Sequence, residues 1–295
     1  MFSDVPNLLK RGDLLVMNDT RVSAVRLMGR KTTGASVEAL LIRNLDAFRY
    51  EALVKPGKRL KLGTRIEFDG SLGAVVGDDL GDGLKVLNFD ACGDFNERLD
   101  SVGQVPLPPY IHTVLADRER YQTVYGVSAG SAAAPTAGLH FTESMLDRIQ
   151  TGGVEIARVT LHVGIDTFRP VQVEDLGKHH MHGEMCEISP DAAAKINEVK
   201  GRIIAVGTTT VRTLESFAKG PRQVGSGIQD TRLFIRTGFR FNIVDGMFTN
   251  LHLPGTTMLV MISALVGRDV LMNAYSQAVA AEYRFLSFGD SMLVV

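Results

Sequence analysis

Seven histidines carry the first chemical signal in this 295-residue sequence: His112, His140, His162, His179, His180, His182 and His252. Five of them fall between positions 140 and 182, and imidazole is the side chain whose ordinary pKa permits proton transfer near neutral pH. Two chemistries stand open for such a cluster. As metal ligands, His180 and His182 would share one side of an extended segment with Glu184, because alternate strand residues point the same way. As acid–base groups, the same rings would donate and accept protons at a small-molecule site. Each histidine taken singly also fits a hydrogen-bonded structural role.

Their neighbours narrow the choice. In Ala132–Phe141 (AAAPTAGLHF) Pro135 fixes its own φ and Gly138 permits a close backbone approach, so a shaped loop presents Thr136 and His140. Thr142 then caps a helix predicted from Glu143 to Ile149. Leu161–Pro170 (LHVGIDTFRP) closes a predicted strand with His162 and opens a loop carrying Asp166, Thr167 and Arg169. Val206-Gly207-Thr208-Thr209 repeats the arrangement, with hydroxyls at a helix start that suits an anionic group; plain capping by the threonines is the alternative. Thr249-Asn250-Leu251-His252 makes a further polar junction. No GxxxxGK[ST] loop or HExxH helix is present, which removes the common nucleotide-hydrolase and zinc-protease chemistries.

The elements that must position these residues fall into two groups. Leu14–Met17 reads as a buried strand. From Ser23 to Phe89 short strands at Val25–Met28, Val37–Ile42, Tyr50–Val54, Ala74–Val76 and Leu84–Phe89 indicate a small barrel or sandwich. A short helix over Asp94–Val102 ends at Gly103. Beyond it, strands at Val154–His162, Ile203–Val206 and Phe239–Val244 alternate with helices starting at Ser189 and Thr208. Two more helices, Thr257–Leu265 and Val270–Tyr283, precede a strand-like close over Phe285–Val295. Such alternation implies a mainly parallel α/β sheet or barrel. Expected boundaries are a main α/β domain of residues 1–22 and 104–295, interrupted by a β-barrel domain of residues 23–103.

Composition, at 45% hydrophobic and 22% charged, is that of a globular chain. A formal net charge of −1 excludes a generally basic nucleic-acid binder, leaving local basic runs at Arg21, Arg26, Arg30 and Lys31 and at Lys55, Lys58, Arg59 and Lys61. Cys92 and Cys186 are far apart and form no CxxC motif, consistent with a reducing cytoplasm. The apolar run Thr257–Val266 is half of the roughly 20 residues a membrane helix needs, so core is expected there and no membrane partner.

At these residues the chain resembles the S-adenosylmethionine:tRNA ribosyltransferase-isomerases of queuosine biosynthesis. The segments that carry the resemblance run in order from Gly12: GDLLVMNDTRV, RLMGRK, PLPPYI, RYQTVY, AAAPTAGLHF, LHVGIDTFRPV, HHMHGE, AVGTTTVRTLES, TNLHLPGTTM and YRFLSFGDSML. The resemblance implies an α/β-barrel-like main domain with an inserted small all-β barrel. It implies transfer and isomerisation of the ribosyl part of S-adenosylmethionine onto 7-aminomethyl-7-deazaguanine at the tRNA wobble position, giving epoxyqueuosine with loss of adenine and methionine. S-adenosylmethionine is then a cosubstrate, no cofactor is tightly bound, and a cytoplasmic monomer acting on tRNA is expected.

For that reaction the expected catalytic residues are His140, His162 and Asp166. Thr136, Gly138, Arg169, His180, His182, Glu184, Thr208, Thr209, Arg212, Asn250 and His252 are expected to bind substrate. Arg21, Arg26, Arg30, Lys31, Lys58 and Arg59 are expected to hold tRNA phosphates, and no metal is expected. Members of the family carry a further N-terminal segment, with a strand and an arginine-containing stretch, ahead of the counterpart of Phe2. Its absence here predicts either an upstream start or a shortened variant with an exposed sheet edge and an incomplete site. The competing readings are a metal-dependent hydrolase built on His162, His180, His182 and Glu184, and a non-catalytic tRNA or nucleoside binder.

Overall fold

The structure is a computed structural model that describes residues 1–69, 72–90, 93–108, 110–111, 115, 117–164, 181 and 183–295. The chain opens with a short helix, α1 (Val5–Leu8), then β1 (Leu14–Asn18) and β2 (Thr20–Val22). Six strands follow: β3 (Val25–Lys31), β4 (Ser36–Asp46), β5 (Arg49–Lys55), β6 (Arg65–Phe68), β7 (Leu72–Gly81) and β8 (Leu84–Phe89), and then α2 (Phe95–Val102). After β9 (Ser128–Ser131) come α3 (Glu143–Thr151), β10 (Glu155–Leu161), β11 (Glu184–Ile188), α4 (Pro190–Glu198), β12 (Ile203–Val206) and α5 (Thr208–Ser216). The remainder holds β13 (Ala218–Gly220), β14 (Gln223–Val224), β15 (Gly227–Thr231), β16 (Gly246–Asn250), α6 (Thr257–Val266), α7 (Arg268–Ala280) and β17 (Ser291–Val294).

Two compact units emerge: Met1–Arg21 with Leu115–Ala129 and Ala134–Val295, and Val22–Val114 with Gly130–Ala133. In the second unit β3-β4-β5-β8-β7-β6 form a closed barrel. Alternating apolar residues make it: Val37, Ala39 and Leu41 on β4, Ala52 and Val54 on β5, Leu72, Ala74 and Val76 on β7 all belong to its core. Phe95 and Leu99 of α2 join that core, so the interior is filled by side chains. The strand Arg65–Phe68 was not expected from sequence; its short RIEF run alternates Ile66 and Phe68 inward between charged neighbours.

The first unit is built on a mixed seven-stranded sheet ordered β15-β11-β10-β1-β12-β16-β17. Its centre, β10-β1-β12-β16, is parallel throughout. Leu15 and Met17 share one face with Ile204, Val206 and Phe248, covered by α1, α3 and the loop containing Ala137 and Phe141. Asn18, two residues on from Val16, points to the opposite face, where its amide meets Thr209 of α5. The strand expected over Phe239–Val244 is instead irregular, with a bend at Asn242 and Ile243, and the ladder starts at Gly246. The reason is a competing acceptor: the buried Glu215 carboxylate takes the N–H groups of Asn242, Ile243 and Val244 at 2.9–3.0 Å. The strand-like close is likewise confined to Ser291–Val294. Among the described residues no single helix is long and apolar enough to cross a membrane.

At the amino edge of the sheet Asp13, buried just ahead of β1, accepts from the Lys10 and Arg202 N–H groups at 2.8 and 3.0 Å and from the Arg202 guanidinium at 2.5 Å. Burial raises its carboxyl, but the guanidinium and the two N–H donors outweigh that and hold it below the usual range. A depressed folded pKa stabilises above the unfolded value and loses the contribution as pH falls through the folded one. Asp13→Ala should therefore cost about 3 kcal/mol at pH 7, measured by urea unfolding, and the gap to wild type should close as pH drops below about 4.

Candidate functional site at the carboxyl edge of the sheet

The four parallel strands end at Leu161, Asn18, Val206 and Asn250, and the connections from β1 and β12 lead to opposite sides of the sheet. A crevice at such a switch point, outside the carboxyl ends, is where open α/β sheets bind ligands. Asn18 ends β1 at this edge, fully buried. Its Oδ1 accepts from the N–H groups of Leu161 and Thr20 at 3.0 and 3.1 Å, and its Nδ2 donates to the Leu161 carbonyl and to Thr209 Oγ1 at 3.0 and 3.2 Å. These four bonds exhaust the capacity of a primary amide. One side chain thus ties the ends of β1 and β10 to the first turn of α5.

His162 follows β10 directly, its backbone N–H on the Met185 carbonyl and its Nδ1 2.8 Å from Thr20 Oγ1. Burial pushes the ring below its ordinary pKa, with Asp19 and Glu187 opposing. His140 closes the 3₁₀ turn Thr136–His140. Its Nε2 is 3.0 Å from Asn250 Oδ1, and Asn250 Nδ2 donates to Thr136 Oγ1 at 2.9 Å. Burial also depresses His140; Asn250 and Asp290 pull upward, while Arg120 and Arg284 add to the depression. Phe2 lies against the ring, with centroids 5.0 Å apart. Strand alternation from Ile156 places His162 on the same sheet face as Met17, Val206, Phe248 and Asn250. With β1 and β12 between them, the ends of β10 and β16 are three strand spacings apart, about 14 Å.

The other expected residues divide by what already occupies them. Thr209 serves Asn18, and Thr210 donates to the Val206 carbonyl at 2.6 Å; the partly exposed Thr208 hydroxyl has no partner among the described residues. Gly207 reaches φ +84° just before the helix, a shape glycine adopts without strain. Arg212 and Glu184 form a buried ion pair. Arg212 also donates to the carbonyls of Leu233 and Thr231 at 3.1 and 3.2 Å, and Glu184 accepts from the Gly164 N–H at 2.8 Å. Burial pushes the Arg212 guanidinium down to about 10, still cationic at neutral pH. This pair reads as a strut joining β11, α5 and the loop base at Gly164. His252 is buried with Nε2 2.8 Å from Thr249 Oγ1 and its backbone N–H on the Tyr275 hydroxyl; burial takes it to about 4, so it is neutral. Gly138 makes room for Tyr125, since a Cβ there would fall on the tyrosine hydroxyl.

Asp166, Arg169, His180 and His182 lie outside the described residues, as do His112, His179 and Cys92. Among the described residues no group of three His, Cys, Asp or Glu side chains could hold a metal. Asn18 and Thr20 were not expected as site residues; the available signal was an amide and a hydroxyl placed directly after the apolar run of β1.

On the barrel, Lys31 Nζ donates to the Arg59 carbonyl at 3.4 Å, so the end of β3 meets the 3₁₀ turn Gly57–Arg59. Arg30, Lys31, Lys58 and Arg59 have no carboxylate partner among the described residues, whereas Arg26 pairs with Glu38 at 3.3 Å. In the other unit Arg21 pairs with Glu119 at 2.5 Å. Two substitutions test the scaffold. Asn18→Leu should cost about 3 kcal/mol or more, because it orphans the buried N–H groups of Thr20 and Leu161; Gly138→Ala should cost about 1–3 kcal/mol by overpacking against Tyr125. Chemical denaturation reads both.

The model of the queuosine biosynthesis protein family matches residues 1–294. The chain is 53% identical over 299 residues to the S-adenosylmethionine:tRNA ribosyltransferase-isomerase of Symbiobacterium thermophilum, a match covering 100% of this chain and 88% of that protein. The protein of the same name from Desulforamulus reducens is 49% identical, with the same coverage. A crystal structure of an S-adenosylmethionine tRNA ribosyltransferase from Thermotoga maritima is similar at a TM-score of 0.52 and 34% identity, over 99% of this chain and 86% of that one. A match of this length, over a chain whose α/β sheet and inserted barrel have the expected class, places the protein in the queuosine biosynthesis protein family.

Proposed function

We propose that this chain is an S-adenosylmethionine:tRNA ribosyltransferase-isomerase. It moves the ribosyl moiety of S-adenosylmethionine to the aminomethyl group of 7-aminomethyl-7-deazaguanine at the tRNA wobble position, forming epoxyqueuosine and releasing adenine and methionine. The observation that carries the reading is full-length identity of about half to enzymes of that name.

The chemistry has three demands, and the carboxyl edge offers a group for each. The sulfonium acidifies the adjacent ribosyl C–H, so a neutral base must reach that carbon. His140 and His162 suit this because burial holds both rings below their ordinary pKa, neutral at pH 7. Adenine must leave with a proton or a hydrogen bond, which the second ring would supply, the two being set at opposite ends of the same edge. The methionine carboxylate needs a donor, and the Thr208 hydroxyl at the start of α5 lies where backbone N–H groups and the helix dipole favour an anion. Asp166 and Arg169, four and seven residues after His162 in sequence, would orient the base or the carboxylate. Glu184 and Arg212 would act by holding the backbone at Gly164, and Asn250 through His140.

Arg30, Lys31, Lys58 and Arg59 would hold tRNA phosphates, since their charge is not cancelled by carboxylates. Arg21 and Arg26, already in ion pairs, would contribute less.

Incubation with S-adenosylmethionine and a tRNA anticodon stem-loop bearing the 7-deazaguanine should release free adenine. His140→Ala and His162→Ala should each slow release by about 100-fold or more; full turnover by either removes that residue from the chemistry. A base whose pKa is depressed stays neutral to lower pH, so the acid limb of kcat should lie below the ordinary imidazole value of about 6.5. For the RNA surface, Lys31→Ala with Arg59→Ala should weaken stem-loop binding and flatten its dependence on log salt by about 1 to 2, while Arg26→Ala should change the slope little.

A further inference from the structure

We infer that Thr20 is a positioning residue for the reaction: its hydroxyl fixes His162 in the neutral tautomer that carries hydrogen on Nδ1, leaving the Nε2 lone pair as the proton acceptor. The inference rests on the reading of His162 as an acid–base group.

A threonine hydroxyl has one hydrogen and two lone pairs. Thr20 Oγ1 has two neighbours, the Ser128 carbonyl at 3.3 Å and His162 Nδ1 at 2.8 Å. The carbonyl can only accept, and the geometry has the Thr20 hydroxyl donating to it. The shorter contact is then made by the ring, Nδ1–H donating to Thr20 Oγ1. Among the described residues Thr20 is the ring's hydrogen-bond partner, which leaves Nε2 free.

Thr20 is held in place from its backbone. Fully buried, it donates its N–H to Asn18 Oδ1 at 3.1 Å, and Asn18 is itself fixed by three further bonds to Leu161 and Thr209. Its β-branched side chain has restricted χ1 freedom. The ring end is anchored too, through the His162 N–H on the Met185 carbonyl.

Among the described residues the charged groups acting on His162 are Asp19, at the turn after β1, and Glu187 on β11. Asp19 is engaged with the Thr160 hydroxyl at 2.7 Å, so the orienting partner of the ring is a neutral hydroxyl where many catalytic histidines have a carboxylate. A hydroxyl selects a tautomer without the charge that would raise basicity, which keeps the ring unprotonated under working conditions.

The test is a long-range proton–nitrogen correlation spectrum of the full-length chain labelled with ¹⁵N-histidine, His162 being assigned from the signal missing in H162Q. Wild type should show a protonated Nδ1 and an unprotonated Nε2. T20V, which keeps shape and removes the hydroxyl, should reverse or mix the tautomers and lower kcat for adenine release by about tenfold or more, with KM within about twofold. Its ring should also titrate at lower pH than wild type, because the cation leaves Nδ1–H unpaired while the neutral ring escapes by moving its proton. T20S should keep the wild-type tautomer and most of kcat. A wild-type ring protonated on Nε2, or a T20V or T20S spectrum contrary to these, overturns the tautomer assignment whatever the activity. Reversal of the tautomer in T20V with unchanged adenine release overturns the acid–base role of His162, and Thr20's role in the reaction with it.

Discussion

The site depends on one buried amide. Asn18 spends its carbonyl on two backbone N–H groups and its NH2 on a carbonyl and a threonine hydroxyl, at the point where connections from neighbouring strands diverge. Parallel strands cannot set their carboxyl ends relative to one another through a hairpin, since their connections are long. A side chain that satisfies both β1 and β10 and reaches α5 does that work locally. It also settles its own orientation, because two N–H donors on one side of the amide leave no alternative assignment of O and N. The groups proposed for the chemistry attach to this post: Thr20 directly, His162 through Thr20 and its neighbour Leu161, and Thr208 through Thr209 in the first turn of α5.

A second constraint is the tension between burial and protonation. A histidine that is to accept a proton must be neutral beforehand, and removing it from water is the simplest way to keep it so. Burial alone would leave the ring nitrogens without partners, at a cost in stability. Both His140 and His162 meet the constraint in the same manner: one ring nitrogen is matched to a neutral side chain, Asn250 or Thr20, and the other has no partner among the described residues. His252 shows the same burial carried further. With its Nε2 on Thr249 and its backbone held by Tyr275, it serves to lock the turn after β16 that presents Asn250.

The α/β class and the inserted barrel were legible because each rests on local pattern: alternating apolar residues in the barrel strands, and apolar runs ending in polar junctions at Leu161 and Val206. What was not legible came from partners distant in sequence. Phe239–Val244 has strand-like composition, but its N–H groups answer to Glu215, more than twenty residues earlier. Glu184 and Arg212 looked like ligand-binding charges until the fold brought them to each other across 28 positions. Asn18 and Thr20 were passed over because an amide after an apolar strand reads as a terminator. Nothing in local sequence says that four groups from three segments will arrive at it.

The same distinction governs the charges. A net charge of −1 says little about RNA affinity, since an ion pair and two distant opposite charges sum alike. On the barrel, Arg65 is bound to Asp90 and Glu67 at 2.5 and 2.6 Å, Lys85 to Asp79 at 2.5 Å and Arg98 to Asp94 at 2.8 Å, and Arg43 to Glu51. Each pair presents a dipole to its surroundings and gives up little by staying closed. Arg30, Lys31, Lys58 and Arg59 have no carboxylate partner among the described residues, and counterions condensed on RNA are released most readily by charges of that kind. Pairing, which only the fold determines, decides which basic residues can act on a polyanion; sign and number alone do not.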